Sequence, residues 1–246
     1  MNKIVFLLLL ALSTSAFAEG QINWTGFYGS VMVGHDWGHV GEGSGTDNQL
    51  LPPAYNFTLP GSSSSSFNGV SGTLKLGYNK QIETNLIGIE LGGTWQKAKS
   101  QGIATDGYYS LGSFVPEKGL HSNTSINTYE TVAARLGHIF NDTTLLYVSA
   151  GAAVGQIKRS VTDTSGQWFG IGNTISDNKS ELGYVLGIGA EHKLNDRLSL
   201  RANYEYVDFG KINFSYTGLY QAYPATITQS NSIHLSNISA GISYAF

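Results

Sequence analysis

Cysteine is absent from the 246 residues, which excludes disulfides and thiolate metal centres. Charge is also scarce, at 13% of residues, and a net charge of −3 leaves no electrostatic footprint for nucleic acid. Long hydrophobic runs are the third shortage. The run Ile4-Val5-Phe6-Leu7-Leu8-Leu9-Leu10-Ala11-Leu12 has nine residues, too few to cross a bilayer core of roughly 30 Å as a helix. Lys3 precedes it and the small-residue pattern Ala16-Phe17-Ala18 follows, so residues 1–18 are expected to be a secretory signal peptide. Glu19 then opens a single β-domain over 19–246. No later run approaches spanning length, so an integral membrane protein made from this chain has to be a closed sheet. What the chain does have is glycine and tyrosine, 31 and 14 residues, which suit strands beside a crowded interior or a lipid interface.

The closing segment shows the governing pattern. Ile238, Ala240, Ile242, Tyr244 and Phe246 fall on one side of an extended strand, and Asn237, Ser239, Gly241, Ser243 and Ala245 on the other. Seven further segments alternate in the same way, near residues 24–37, 69–78, 86–97, 129–140, 144–157, 181–193 and 198–209. Between them, short connections at 79–85, 141–143 and 194–197 take turns with long ones at 38–68, 98–128, 158–180 and 210–231. A soluble sandwich has no reason to sort its loops strictly into long and short. An up-and-down barrel with a periplasmic and a cell-surface rim does. The expectation is all-β: an eight-stranded antiparallel transmembrane β-barrel, both termini periplasmic and four long loops at the surface of a Gram-negative cell.

Trp24-Thr25-Gly26-Phe27-Tyr28, Arg135-Leu136-Gly137-His138 and Leu146-Tyr147-Val148 resemble the small outer-membrane β-barrel family of proteobacterial surface antigens, the opacity-type porin family. So do Gly187-Ile188-Gly189-Ala190-Glu191, the run Tyr204 to Gly210, and the terminal Gly241-Ile242-Ser243-Tyr244-Ala245-Phe246. The resemblance covers the strands and short turns, and implies a barrel whose relatives are described as porins, structural proteins, adhesins or hemin binders. It also implies contact with outer-membrane lipid and lipopolysaccharide, and an assembly signal in Tyr244 and Phe246 read by the barrel-assembly machinery. A shared barrel does not fix activity, which lies in loops and lumen.

Lys75, Glu90, Arg135, Glu191, Lys193, Arg201 and Glu205 all take inward parity. They form either a mutually paired polar plug or a narrow conduit for small solutes or ions. An interior just wide enough for its own side chains favours the plug. Trp24, Trp37, Trp95, Tyr204 and Tyr206 are expected as interfacial aromatics. Among six histidines only His35 and His39 stand four apart, and four extended residues span roughly 13 Å, too far for one metal. No cofactor or metal site is therefore expected; hemin or host-ligand capture by His35, His39 and His121 in the loops is the binding alternative. Catalysis would need a nucleophile beside a base. Ser199 with His192 or His234 is the sole candidate, and no acid orients either histidine. The reading is a non-enzymatic barrel for envelope structure and surface antigen presentation.

Overall fold

The computed structural model describes residues 23–49, 55–59, 65–110, 113–164, 172–220 and 223–246. The expected signal peptide lies outside them. The strands are β1 (Gly26–Gln49), β2 (Tyr55–Leu59), β3 (Ser65–Ile82), β4 (Asn85–Ser110) and β5 (Ser113–Phe140), then β6 (Thr144–Asp163), β7 (Thr174–Lys193), β8 (Leu198–Tyr220) and β9 (Tyr223–Ala245). Every pairing is antiparallel. β1 and β3 to β9 pair in chain order, and β1 pairs back onto β9, closing a ring of eight. The short β2 lies along the far end of β1, where Gly45 faces Leu59 and Gln49 faces Tyr55. No helix occurs among the described residues.

The short turns place non-glycine residues in the left-handed region. Glu83 has φ 55° in the two-residue β3–β4 turn, and Asn141 and Asp142 have φ 48° and 56° between β5 and β6. Asn and Asp tolerate that left-handed region better than most residues, and paired positive φ matches the twist of a tight hairpin. After β7 the Asn195 carboxamide oxygen accepts the Arg197 and Leu198 N–H groups at 3.0 and 2.8 Å.

Strand alternation turns into two faces of opposite chemistry. Outside, Phe27, Val31, Val33, Val70, Ile89, Leu136, Ile188 and Ile238 stand exposed, Val70 at 72%. From Phe27 to Trp37 the chain advances about 34 Å, which a strand tilt near 45° reduces to about 24 Å, close to the height of a lipid-facing band. Inside the same level Arg135 and Arg201 are buried, Arg135 at 0% exposure.

Beyond the belt the arrangement inverts. Val40, Phe67, Ile126, Tyr129, Ile157, Val161, Val207, Phe209, Phe214 and Ile233 pack into one apolar interior cluster. On the outer face, exposed hydroxyls pair across strands: Thr162 with Thr174, Ser215 with Thr228, and Thr217 with Thr226. The expected long loops are thus corrected over much of their length. β1, β4, β6 and β8 run on through them, and β5, β7 and β9 return, as a water-facing barrel extension with an oily centre. Bulges at Trp95/Ala98, Ile126/Thr128 and Asp208/Lys211 break the parity on the way. At the last, Gly210 takes φ 67° and its N–H meets Asp208 Oδ1 at 2.7 Å. Odd residues Val207 and Phe209 face inward before it; even residues Ile212, Phe214 and Tyr216 do so after it.

Candidate functional site

Six of the predicted inward charges meet at the belt level. Arg201 grips Glu90 with both terminal nitrogens, at 2.6 and 2.9 Å, and its Nε lies 3.4 Å from Glu191. Arg135 bonds Glu191 at 2.8 Å and lies 3.5 Å from Glu90. Lys75 bridges Glu90 at 3.0 Å and Glu205 at 2.5 Å. Three cations therefore face three carboxylates. Removing charges from water is tolerable only with such pairing and added hydrogen bonds.

Two tyrosines complete the cluster. Tyr28 donates to Glu90 Oε2 at 2.6 Å and accepts from Arg135 at 2.5 Å. Tyr147 accepts from Arg201 Nε at 2.9 Å and donates to Asn203 at 2.8 Å. The Arg135 guanidinium also lies 3.8 Å from the Tyr147 ring centre, within cation–π range. Each ring crosses the sheet over a glycine: Tyr28 faces Gly77 and Tyr147 faces Gly189 in register. A Cβ on Gly189 would sit 2.3 Å from the Tyr147 ring, and one on Gly77 would sit 2.5 Å from the Tyr28 hydroxyl. Strand glycine here is a matter of close approach.

Two predicted residues take other places. Lys193 stands apart from the cluster, at the short-turn end, donating to the Asn23 and Asp196 carbonyls at 2.7 and 3.2 Å. Its ammonium is 4.9 Å from the Trp24 ring. Trp24 is correspondingly no interfacial aromatic: it is buried at 7% exposure with Leu86, Ile139, Leu145 and Tyr147 in an apolar floor. The Trp24 indole N–H has a partner there, the Asp142 carbonyl at 3.0 Å. That satisfied polar edge is why an inward tryptophan is affordable. Trp37, Trp95 and Tyr204 are exposed on the outside, and Tyr206 is half-buried there. Ser199 is buried and His192 exposed, so the sheet itself separates that pair.

Further interior groups lie along the lumen. Asp36 accepts from Asn237 at 3.0 Å, and Asn237 also donates to Ser71. Arg159, fully buried in the extension, donates to Gln229 at 2.9 Å. Carrying the alternation of β6 past Ile157 reaches Arg159, Val161 and Asp163; the expected loop over 158–180 hid them.

A closed eight-stranded ring, greasy outside and internally ion-paired within the belt, defines a membrane-spanning barrel of the outer-membrane kind. The family described as outer membrane protein beta-barrel domain matches residues 4–246, and the chain belongs to it. It is 28% identical to the 31 kDa outer-membrane immunogenic protein of Brucella melitensis over 198 residues, 78% of this chain and 73% of that protein. Outer membrane protein PagN of Salmonella typhimurium is 36% identical over 105 residues, 41% of each chain. Among solved structures, the outer membrane protein OprG of Pseudomonas aeruginosa aligns over 92% of this chain and 98% of its own, at 12% identity and a TM-score of 0.48.

Proposed function

We propose that this barrel is a non-enzymatic structural and surface-antigen protein whose lumen is closed rather than conducting. The observation that carries the reading is the pairing of Lys75, Arg135 and Arg201 with Glu90, Glu191 and Glu205. No formal charge is left over in the cluster to draw an ion in. The floor around Trp24 and the cluster around Phe209 and Phe214 bracket it with apolar side chains. A permeating ion would have to leave water twice over.

In this reading the termini and short turns face the periplasm, and the strand extensions stand at the cell surface, meeting lipopolysaccharide at their base. Tyr244 and Phe246 form the assembly signal. Supporting it, Phe246 is exposed at 68%, packs edge-on to Tyr244 at 5.5 Å, and donates its N–H to the Phe27 carbonyl. Trp37, Trp95, Tyr204 and Tyr206 serve as interfacial aromatics. Planar-bilayer recording of the refolded barrel tests the closed lumen: no discrete steps are expected. Reproducible steps that vanish on Glu90→Gln would establish the narrow porin instead.

A further inference from the structure

The barrel is closed by β1 against β9, and on that seam His39 and His234 are register partners. The two residues are 195 positions apart in sequence, so no linear spacing advertises them. Their side chains share the outer face, His39 exposed and His234 half-buried, with ring centres 5.7 Å apart. Metal–nitrogen bonds of about 2.0–2.1 Å put each ring centre roughly 3.2 Å from a shared ion, so such a separation corresponds to an N–metal–N angle of about 125–130°. That lies between tetrahedral and linear and needs small side-chain rotations.

The surroundings leave those rotations free. His138 and His192, at the short-turn end, bond Asn85 and Thr144, both at 3.0 Å. Neither the His39 nor the His234 imidazole has a hydrogen-bond partner among the described residues. Tyr206 packs on His234 at 6.0 Å. Asp208, the partner of His234 on β8, adds a negative charge in the same row. Its carboxylate is already engaged by the Gly210 N–H and the Tyr184 and Tyr206 hydroxyls. No three metal-ligating side chains converge among the described residues. Water would complete the coordination, as in open rather than structural sites.

We propose that His39 and His234 form a two-histidine site for a borderline divalent cation of the zinc, nickel or copper class, bridging the first and last strands. Imidazole nitrogen suits those metals and leaves magnesium and calcium to carboxylate sites. An ion bound only by the closed barrel stabilises that state by mass action.

Titration of zinc into the full-length folded barrel in detergent, read by calorimetry, tests the site. One ion per barrel is expected, with affinity reduced at least tenfold by His39→Ala and by His234→Ala and unchanged by His35→Ala. Zinc should also raise the temperature at which the folded gel band is lost in the wild type, and not in His39→Gln. Unchanged affinity in both alanine variants overturns the assignment, and so does an equal loss in His35→Ala. A stoichiometry of one ion to two barrels would assign the ion to a contact between copies, and the seam site would fall.

Discussion

Arg135 shows what a single interior residue has to do. It is fully buried, shares Glu191 with Arg201, and sits over the Tyr147 ring. Truncating it leaves Glu191, among the described residues, with the 3.4 Å contact to Arg201 as its remaining ion pair and opens space against Tyr147. Breaking a buried pair from one side costs about 3–5 kcal/mol, whereas replacing both partners with apolar isosteres is far milder. Arg135→Ala should therefore lower the urea midpoint of the barrel strongly, and Arg135→Met with Glu191→Leu should recover part of the loss. An unchanged midpoint in the single variant would show that the cluster does not hold the barrel together.

Glycine 189 makes the complementary case, a residue needed for what it lacks. Its Cβ position is occupied by the Tyr147 ring, with the Ala202 carbonyl 2.8 Å away. Overpacking of this kind costs about 1–3 kcal/mol. Gly189→Ala should reduce thermal stability, and the penalty should shrink in a Tyr147→Ala background because the two residues compete for one volume. Additive losses, measured by melting of all three variants, would mean that the backbone rather than the ring sets the requirement.

At the scale of the strand, alternation carried the reading as far as it stayed in phase. Within the belt every second residue is apolar, and the eight segments and their in–out parity were readable from residues such as Val70, Leu74 and Leu76 against Ser71, Thr73 and Lys75. Past it two things hide the strand. Bulges at 126/128 and 208/211 shift the phase by one residue. The outward face also turns from aliphatic to Ser, Thr, Asn and Lys, which reads as loop. The charged members of the lumen were legible for the same reason as the belt. Trp24 and Lys193 were not, because their placement depends on a floor built from β4, β5, β6 and the segment before β1. The His39–His234 contact likewise needs the closing register, which no local pattern contains.

Those strand extensions have a measurable signature. Phe214 and Tyr216 lie in β8, buried in the same apolar cluster as Ile126 and Ile157 and paired with Gln229 and Ile227 of β9. Amides inside such a ladder exchange slowly, while those of a surface loop exchange almost at once. Hydrogen exchange by mass spectrometry should find peptides covering residues 211–217 protected for hours, and the Asp208/Lys211 bulge less so. Exchange at loop rates throughout would return this stretch to the loop first expected.

For the whole molecule, the inversion of sidedness marks where lipid ends. Below the inversion, burial of charge inside is the cost of an apolar exterior; above it, water takes the exterior and the apolar side chains move in. The two regimes meet near the row holding Trp37, His39, Tyr206 and Asp208, and this fixes how tryptophans should sense the membrane. Trp37 and Trp95 are 38% and 53% exposed on the outer face, while Trp24 is shut inside the floor. In single-tryptophan barrels reconstituted with brominated lipids, Trp37 and Trp95 should be quenched most by bromines placed close to the headgroup. Trp24 should be quenched little at any depth, because the sheet stands between its ring and the acyl chains. Strong quenching of Trp24 together with none at Trp95 would reverse the inside and the outside of the barrel. The charged cluster would then have to face hydrocarbon, which its six ionised groups could not survive.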